Sequence, residues 1–370
     1  MLPSIHRPAY VEVDLSKLKK NLQNELNAVP EGTEVFAVVK ANAYGHGLVK
    51  VAQAEIAYGA TGLCVATLDE ALEVRNSGVQ APILVLGIIP VEYAKIASRA
   101  NISVTVGDLD WLKVAVELRT TNLKVHLAID SGMGRIGFQN RDDLVEACNF
   151  LNEHQRAFIP EGLFTHFATA DSPDEKYFEK QVANFKEMKR DLPTNFTYVH
   201  CANSATALWH KDLAINMVRY GIALYGLNPS GTDITQLPFK LEPALSLYSE
   251  LVFVKKVKAG TSIGYGATYT SQEDEWIGTV PIGYSDGWLR RMSGSNVLIN
   301  GQKCQIVGRV CMDQFMVRLP KKMPVGTRVT IIGKDGDEEI TATDVAEYAK
   351  TINYEILCCL SERLPRVYKK

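Results

Sequence analysis

Lys40 follows the apolar run VFAVV (35–39) directly, and the segment ANAYGHG around it contains Gly45 and Gly47, which permit a tight, closely approaching loop. An amine at a strand end is placed to form an imine with a carbonyl compound, although many strand-end lysines simply enter solvent. A second polar group lies in IDSGMGRIG (129–137), where Gly132, Gly134 and Gly137 let the backbone turn sharply and Arg135 projects from the loop, suited to a phenolate or carboxylate. THFATAD (165–171) supplies His166, which on its own reads as a hydrogen-bonded structural histidine. HCANSATAL (200–208) brings Ser204 to a helix start, either as a plain N-cap or as part of a phosphate cradle. MVRYGIALYG (217–226) adds Arg219, with the amides of Gly221 and Ile222 available to an anion. No group of ligands has metal spacing, and no GxSxG elbow is present.

These residues need a scaffold that gathers strand ends. β-branched runs occur at 35–39, 62–66, 83–86, 102–105, 123–129, 159–164, 197–199 and 216–218. Amphipathic segments separate them, among them 69–77, 108–118, 141–153 and 174–190, the last with Phe178, Val182 and Phe185 at helical spacing. Eight such units predict an α/β fold with an N-terminal (β/α)8 barrel, in which reactive groups collect where strands end. After about residue 240 the runs LYSELVFVKKV, IGTVPIG, NVLING, CQIVGRV and RVTIIG are divided by Gly, Asn and Asp turns, as in an all-β domain. The expected division is 1–240 and 241–370, with residues 1–14 (including the alternating YVEVDL) pairing with the β-rich part.

Composition narrows the partners. The chain has 370 residues, and 40 basic against 42 acidic side chains leave a formal charge of -2, so nothing draws it to nucleic acid or an anionic membrane. The N-terminus lacks a secretory apolar segment and no run is long enough to span a bilayer, which leads to an expected cytoplasmic location. Seven cysteines without a CxxC pair argue for reduced, mostly buried thiols and for neither a disulfide framework nor a zinc site.

VVKANAYGHG, DSGMGRIG, HxANSA, VRxGIxLYG, GYGATY, PIGYSDG and CMDQ occur in this order, and together they resemble the alanine racemase family, barrel enzymes that carry pyridoxal 5'-phosphate and a β-domain. The resemblance covers nearly the whole chain. It implies that Lys40 carries the cofactor as an imine and that Tyr44, Asn203, Ser204, Gly221, Ile222 and Tyr354 hold the cofactor, chiefly at its phosphate. Arg219 would face the pyridine nitrogen, His166 would support Arg219, and Arg135 would lie beside the cofactor phenol oxygen and the substrate. Tyr265 would be the second base, delivered by the partner subunit of a homodimer with shared active sites. His200 would hydrogen-bond that tyrosine, Met312 would offer its backbone N–H to the substrate carboxylate, and Tyr284, Asp313 and Tyr354 would line the entrance. The implied substrate is small: L-alanine and D-alanine, interconverted to supply peptidoglycan.

Two physical points accompany the resemblance. A guanidinium stays protonated and donates to a ring nitrogen, keeping that nitrogen unprotonated and the electron sink weak. An ordinary phenol is a poor base at neutral pH, so the site has to favour phenolate through charge or hydrogen bonding. One position departs from a frequent family pattern: Ala128 stands where many members have a carbamylated lysine beside the arginine loop. Competing readings are a basic amino-acid decarboxylase, which would put a carboxylate where Arg219 stands, a racemase of broader side-chain scope, and a binding protein for the cofactor that lacks activity.

Overall fold

The β-branched runs form strands because their side chains are buried on both faces, the pattern of a parallel sheet covered by helices. A computed structural model describes residues 3–370. The chain divides into two compact units: one holds Lys17–Ala43 and Gly47–Glu242, the other the residues up to Ser16, Tyr44–His46 and Pro243–Lys370.

In the first unit, all eight expected strands are present: β2 (Glu34–Val38), β3 (Gly62–Val65), β4 (Ile83–Ile88), β5 (Ser103–Val106), β6 (Leu123–Ala128), β7 (Phe158–Phe164), β8 (Tyr198–His200) and β9 (Met217–Tyr220). They run in the order β8-β7-β6-β5-β4-β3-β2-β9, all parallel. A bridge from Ala202 to Val218 joins the two ends, so the sheet closes into a barrel. The helix Lys176–Met188 turns Phe178, Gln181, Phe185 and Met188 inward. Gln181 replaces the expected Val182 on the buried stripe because its amide serves the chain after β7, accepting Ala168 N–H at 2.8 Å and donating to His166 O at 3.3 Å.

The second unit begins with β1 (Ala9–Asp14), antiparallel to β10 (Leu245–Glu250) and parallel to Arg366–Lys369. It is otherwise largely an antiparallel sheet, and includes a strand, Phe315–Leu319, beyond those read from sequence. Two short helices interrupt it, Ala342–Ala349 and Asn353–Cys358. The first is started by a reciprocal cap in which Thr341 and Asp344 bond each other's backbone N–H. No described helix is long and apolar enough to cross a membrane.

Glu55, on the helix Leu48–Tyr58, is fully buried with neither carboxyl oxygen hydrogen-bonded. Burial raises its pKa from 4.5 to about 8. A carboxyl raised on folding contributes stability that is present below the unfolded value and lost as pH rises toward the folded one. Glu55→Gln, which cannot ionise, is therefore expected to gain on the wild type in urea midpoint as pH climbs from 4.5 to about 8; parallel midpoints across that window would contradict the assignment.

Candidate active site

Lys40 leaves β2 into an unusual backbone: Ala41, Asn42, Ala43 and Tyr44 all have left-handed dihedrals, with φ of 54°, 54°, 53° and 49°. Each costs roughly 1–2 kcal/mol for an L-residue, so the turn persists only because its polar groups are tied down. Glu70 does much of this. One of its oxygens accepts the Ala41 N–H at 2.7 Å and the other the Ala66 N–H at 2.7 Å, while its own backbone closes the reciprocal cap with Thr67. Asn42 Oδ1 then accepts the Leu48 N–H at 2.7 Å, which starts the following helix. Gly45, at φ 82°, has no room for a side chain: a Cβ would lie 2.2 Å from Leu357 O.

The strand ends enclose a cavity of about 270 Å³ whose polar lining is Lys40, Arg135, His166 and Arg219. Ala128, Met133 and Phe164 are among its apolar walls, and no acidic residue lines it. The site is thus cationic and suits an anionic ligand. His166 has its pKa pushed well down, first by burial and then by the charges of Arg219, Arg135 and Lys40.

Arg219 is 3% exposed. It donates to Thr165 O at 2.9 Å, to Cys201 O at 3.4 Å and to His166 Nδ1 at 3.3 Å, and a short contact joins Nη1 to His200 Nδ1. His200 is fully buried and its other ring nitrogen meets His126 Nδ1 at 2.9 Å. Both nitrogens are engaged inside the barrel, which corrects the expectation that His200 hydrogen-bonds Tyr265. His166, which lines the cavity, is the imidazole with access to a ligand.

The Arg135 loop is held by its backbone. Asp130 Oδ1 accepts the N–H groups of Gly132 and Gly134 at 3.0 and 2.9 Å, Tyr177 donates to Gly132 O at 2.6 Å, and Asn184 donates to Ser131 O at 3.0 Å. The Arg135 side chain itself has no hydrogen bond or ion pair among the described residues. Ala128, beside it on the cavity wall, offers no polar group.

Ser204 is not the helix cap. Asn203 fills that role, with its Oδ1 accepting the Thr206 N–H at 2.9 Å and its amide donating to Phe167 O at 3.5 Å. Ser204 Oγ, nearly buried, instead accepts the N–H groups of Gly221 and Ala223 at 2.8 and 3.4 Å. The hydroxyl, Gly221 and Ile222 therefore meet at one corner of the barrel rim.

Tyr44, Tyr265, Tyr284, Met312, Asp313 and Tyr354 belong to the other unit. There the rings of Tyr44 and Tyr354 lie 6.1 Å apart. The Tyr284 and Met312 loops pair through Tyr284 N–H to Cys311 O at 3.1 Å and Ser285 N–H to Met312 O at 3.0 Å. Fully buried Asp286 binds Arg7 through two contacts of 2.9 and 2.6 Å, and Arg363, 3.4 Å from Asp286, reaches Asp313 at 2.8 Å. Tyr265 is 71% exposed, Met312 52% and Tyr284 43%.

Sequence reasoning missed Glu70, Asp130, Tyr177 and Gln181, which brace the segments around the cavity without lining it, and Asp286, which ties together the Tyr284 and Met312 loops of the other unit. Only Glu70 had a legible signal, the T-x-x-E spacing of a helix start. Replacing Asp130 by Ala removes the one oxygen that accepts two amide N–H groups, and a loss of about 1–3 kcal/mol is expected in urea unfolding. Faster amide exchange confined to 131–136 would accompany it, whereas unchanged exchange there would deny Asp130 its role in the loop.

Comparison with known proteins agrees with this geometry. The family description "Alanine racemase, N-terminal domain" matches residues 13–229, and "Alanine racemase, C-terminal domain" matches 244–368. An alanine racemase of Ligilactobacillus salivarius is 55% identical over 98% of this chain and 99% of its own. The crystal structure of alanine racemase from E. faecalis superposes with a TM-score of 0.97 at 51% identity, covering all of both chains. A histidine racemase of Leuconostoc mesenteroides subsp. sake superposes with a TM-score of 0.94 at 38% identity, again over all of both chains.

Proposed function

Because the chain belongs to the alanine racemase family, we propose that it interconverts L- and D-alanine using pyridoxal 5'-phosphate, with Lys40 and Tyr265 of the partner subunit as the two bases. The observation that carries this reading is the cationic cavity at the strand ends, in which the Lys40 amine and the Arg219 guanidinium line one space.

The donors present fit the cofactor. Lys40 offers an amine for its carbonyl, Arg219 an obligate donor for the pyridine nitrogen, Arg135 a cation for the phenol oxygen, and the Ser204 hydroxyl with the Ile222 amide a cradle for phosphate, to which the Gly221 N–H, given to Ser204 Oγ within the chain, would have to turn. Tyr44 and Tyr354 complete the proposed phosphate set. Held by these residues, pyridoxal phosphate would supply a carbonyl for the amino group of the substrate and an electron sink for its α-carbon.

The protein does the rest. Arg219, held by Thr165, Cys201, His166 and His200, keeps its protons and donates to the ring nitrogen, which restrains electron withdrawal and disfavours stray transamination. A carboxylate at this position would favour a decarboxylase, and none lines the cavity. Inversion requires the α-proton to leave one face and return on the other. The Lys40 amine serves one face and the phenol of the partner subunit's Tyr265 the opposite face. The His166 imidazole, whose pKa burial and three cations hold down, is neutral; its Nδ1 accepts from Arg219, so its hydrogen sits on Nε2 and is available to donate to that phenol's oxygen. Met312, whose backbone N–H has no acceptor among the described residues, is proposed to meet the substrate carboxylate.

The shared site is supported by exposure: Tyr265, Met312 and Tyr284 are large apolar groups open to solvent on a single chain, as expected of surface that a second copy covers. Tyr284, Asp313 and Tyr354 are proposed to narrow the entrance. The proposed physiological role, carried by the resemblance, is cytoplasmic supply of D-alanine for peptidoglycan. A second reading, a racemase of wider side-chain scope, is favoured by the histidine racemase among the structural relatives.

Lys40→Ala is expected to lose the visible absorbance band of lysine-bound cofactor, and retention of the band would sink the assignment of Lys40. Tyr265→Phe is expected to keep that band and lose α-hydrogen exchange for one enantiomer of alanine far more than for the other. Equal losses would leave the two-base scheme without support. A screen of L- and D-amino acids for α-deuterium uptake in heavy water separates the alanine-restricted reading from the broader one.

A further inference from the structure

We propose that Glu161, on β7, is a positioning residue for Arg219, acting through His126 and His200 to hold both imidazoles as neutral Nε2–H tautomers, so that His200 presents a bare Nδ1 to the guanidinium. The tautomer assignment stands on the barrel interior alone; its consequence for the reaction rests on the reading that Arg219 faces the cofactor ring.

Four strands contribute to one line of contacts: Arg219 Nη1 to His200 Nδ1, His200 Nε2 to His126 Nδ1 at 2.9 Å, and His126 Nε2 to Glu161 Oε2 at 3.0 Å. Proton counting along the line has one solution. A guanidinium only donates, so His200 Nδ1 accepts. The remaining His200 hydrogen then sits on Nε2 and points at His126, whose Nδ1 must accept in turn. His126 therefore carries its hydrogen on Nε2 and gives it to the carboxylate. An imidazolium at either ring would set two hydrogens against each other in one contact.

The surroundings agree. Burial, together with the Arg219 charge, lowers both imidazole pKa values, and at His126 it outweighs the opposing pull of Glu161. Burial alone would raise Glu161, but bonds from His126 and Ser103 and the Lys124 ammonium at 3.1 Å hold it at about 2. Tyr198, stacked on His126 with centroids 5.9 Å apart, has its pKa raised and stays neutral. No described carboxylate bonds Arg219 directly, so the line joins a buried cation to a buried anion.

The arrangement is built into the backbone. The β6–β7 register steps from Val125–Pro160 to His126–Gly162, leaving Glu161 as an extra residue whose side chain the irregularity turns inward. Gly162 makes room for the ring: a Cβ there would lie 2.1 Å from His126 Nδ1. Phe164 fixes the plane of His200, the two rings stacking at 4.9 Å and 4°. Were the anion removed, the opposite tautomer of His200 would become accessible, pointing a hydrogen at Arg219 and displacing it.

The test is nitrogen NMR of histidine-labelled, cofactor-free protein, with the two rings assigned from His126→Asn and His200→Asn. Wild type is expected to show both rings with protonated Nε2 and bare Nδ1, unchanged between about pH 5 and 8, where a free imidazole titrates. Glu161→Gln is expected to lose that fixed signature, and Glu161→Asp, which keeps the anion, to retain it. Should Glu161→Gln fail to fold, Gly162→Ala, which keeps every titrating group and displaces the His126 ring, is expected to lose the signature as well. A titrating ring in wild type, an Nδ1–H on His200, or a Glu161→Gln spectrum identical to wild type would overturn the proposal. In the loaded enzyme, Glu161→Gln is expected to lower kcat at least tenfold with KM little changed. Loss of the tautomer signature with unaltered kinetics would instead refute the placement of Arg219 against the ring and leave the relay standing.

Discussion

A guanidinium buried in a barrel without a carboxylate beside it is the constraint on which much of the first unit depends. Arg219 cannot give up its proton, and an uncompensated charge in that interior would cost several kcal/mol. The fold answers with carbonyls from Thr165 and Cys201, with two imidazoles, and with the ring face of Phe164 at 5.3 Å. These groups come from several strands and the segments that follow them. A packed apolar interior would be simpler to build, and the polar column is intelligible only as the means of presenting a permanent donor to the cavity.

The amine at the other side of the cavity is held by a different device. Four consecutive residues in left-handed conformation follow Lys40, and their strain is offset by Glu70 and Asn42. Residues that do not line the cavity thus determine where its amine stands. The same division of labour recurs at the Arg135 loop, where Asp130, Tyr177 and Asn184 hold the backbone and the arginine side chain has no hydrogen bond or ion pair among the described residues. A side chain anchored only at its backbone is free to answer the ligand.

In the second unit, organisation centres on Asp286. A fully buried carboxylate bound by two arginines ties the N-terminal segment, the Tyr284 loop and, through Arg363, the Met312 loop into one cluster. Breaking such a group leaves buried charge unmatched, so its members stand or fall together. The residues it supports face solvent on a single chain.

The amino-acid sequence by itself determined the eight strands, the change to a β-rich second part and the strand-end residues Lys40, Arg135, His166 and Arg219, because β-branched runs, turn residues and short motifs are local properties. It also carried the likeness to a single enzyme family across nearly the whole chain. The hydrogen-bond partners were decided only by the tertiary structure. His200 and Asn203 sit in recognisable motifs, yet one faces the barrel interior and the other caps a helix, since where a side chain points depends on strand register and on neighbours distant in sequence. Glu161 and His126 have no motif at all; a one-residue irregularity between two strands and a glycine beneath the ring bring them together. Local pattern chose the groups, and barrel closure, by bringing non-adjacent strands into contact, chose which of them share a proton.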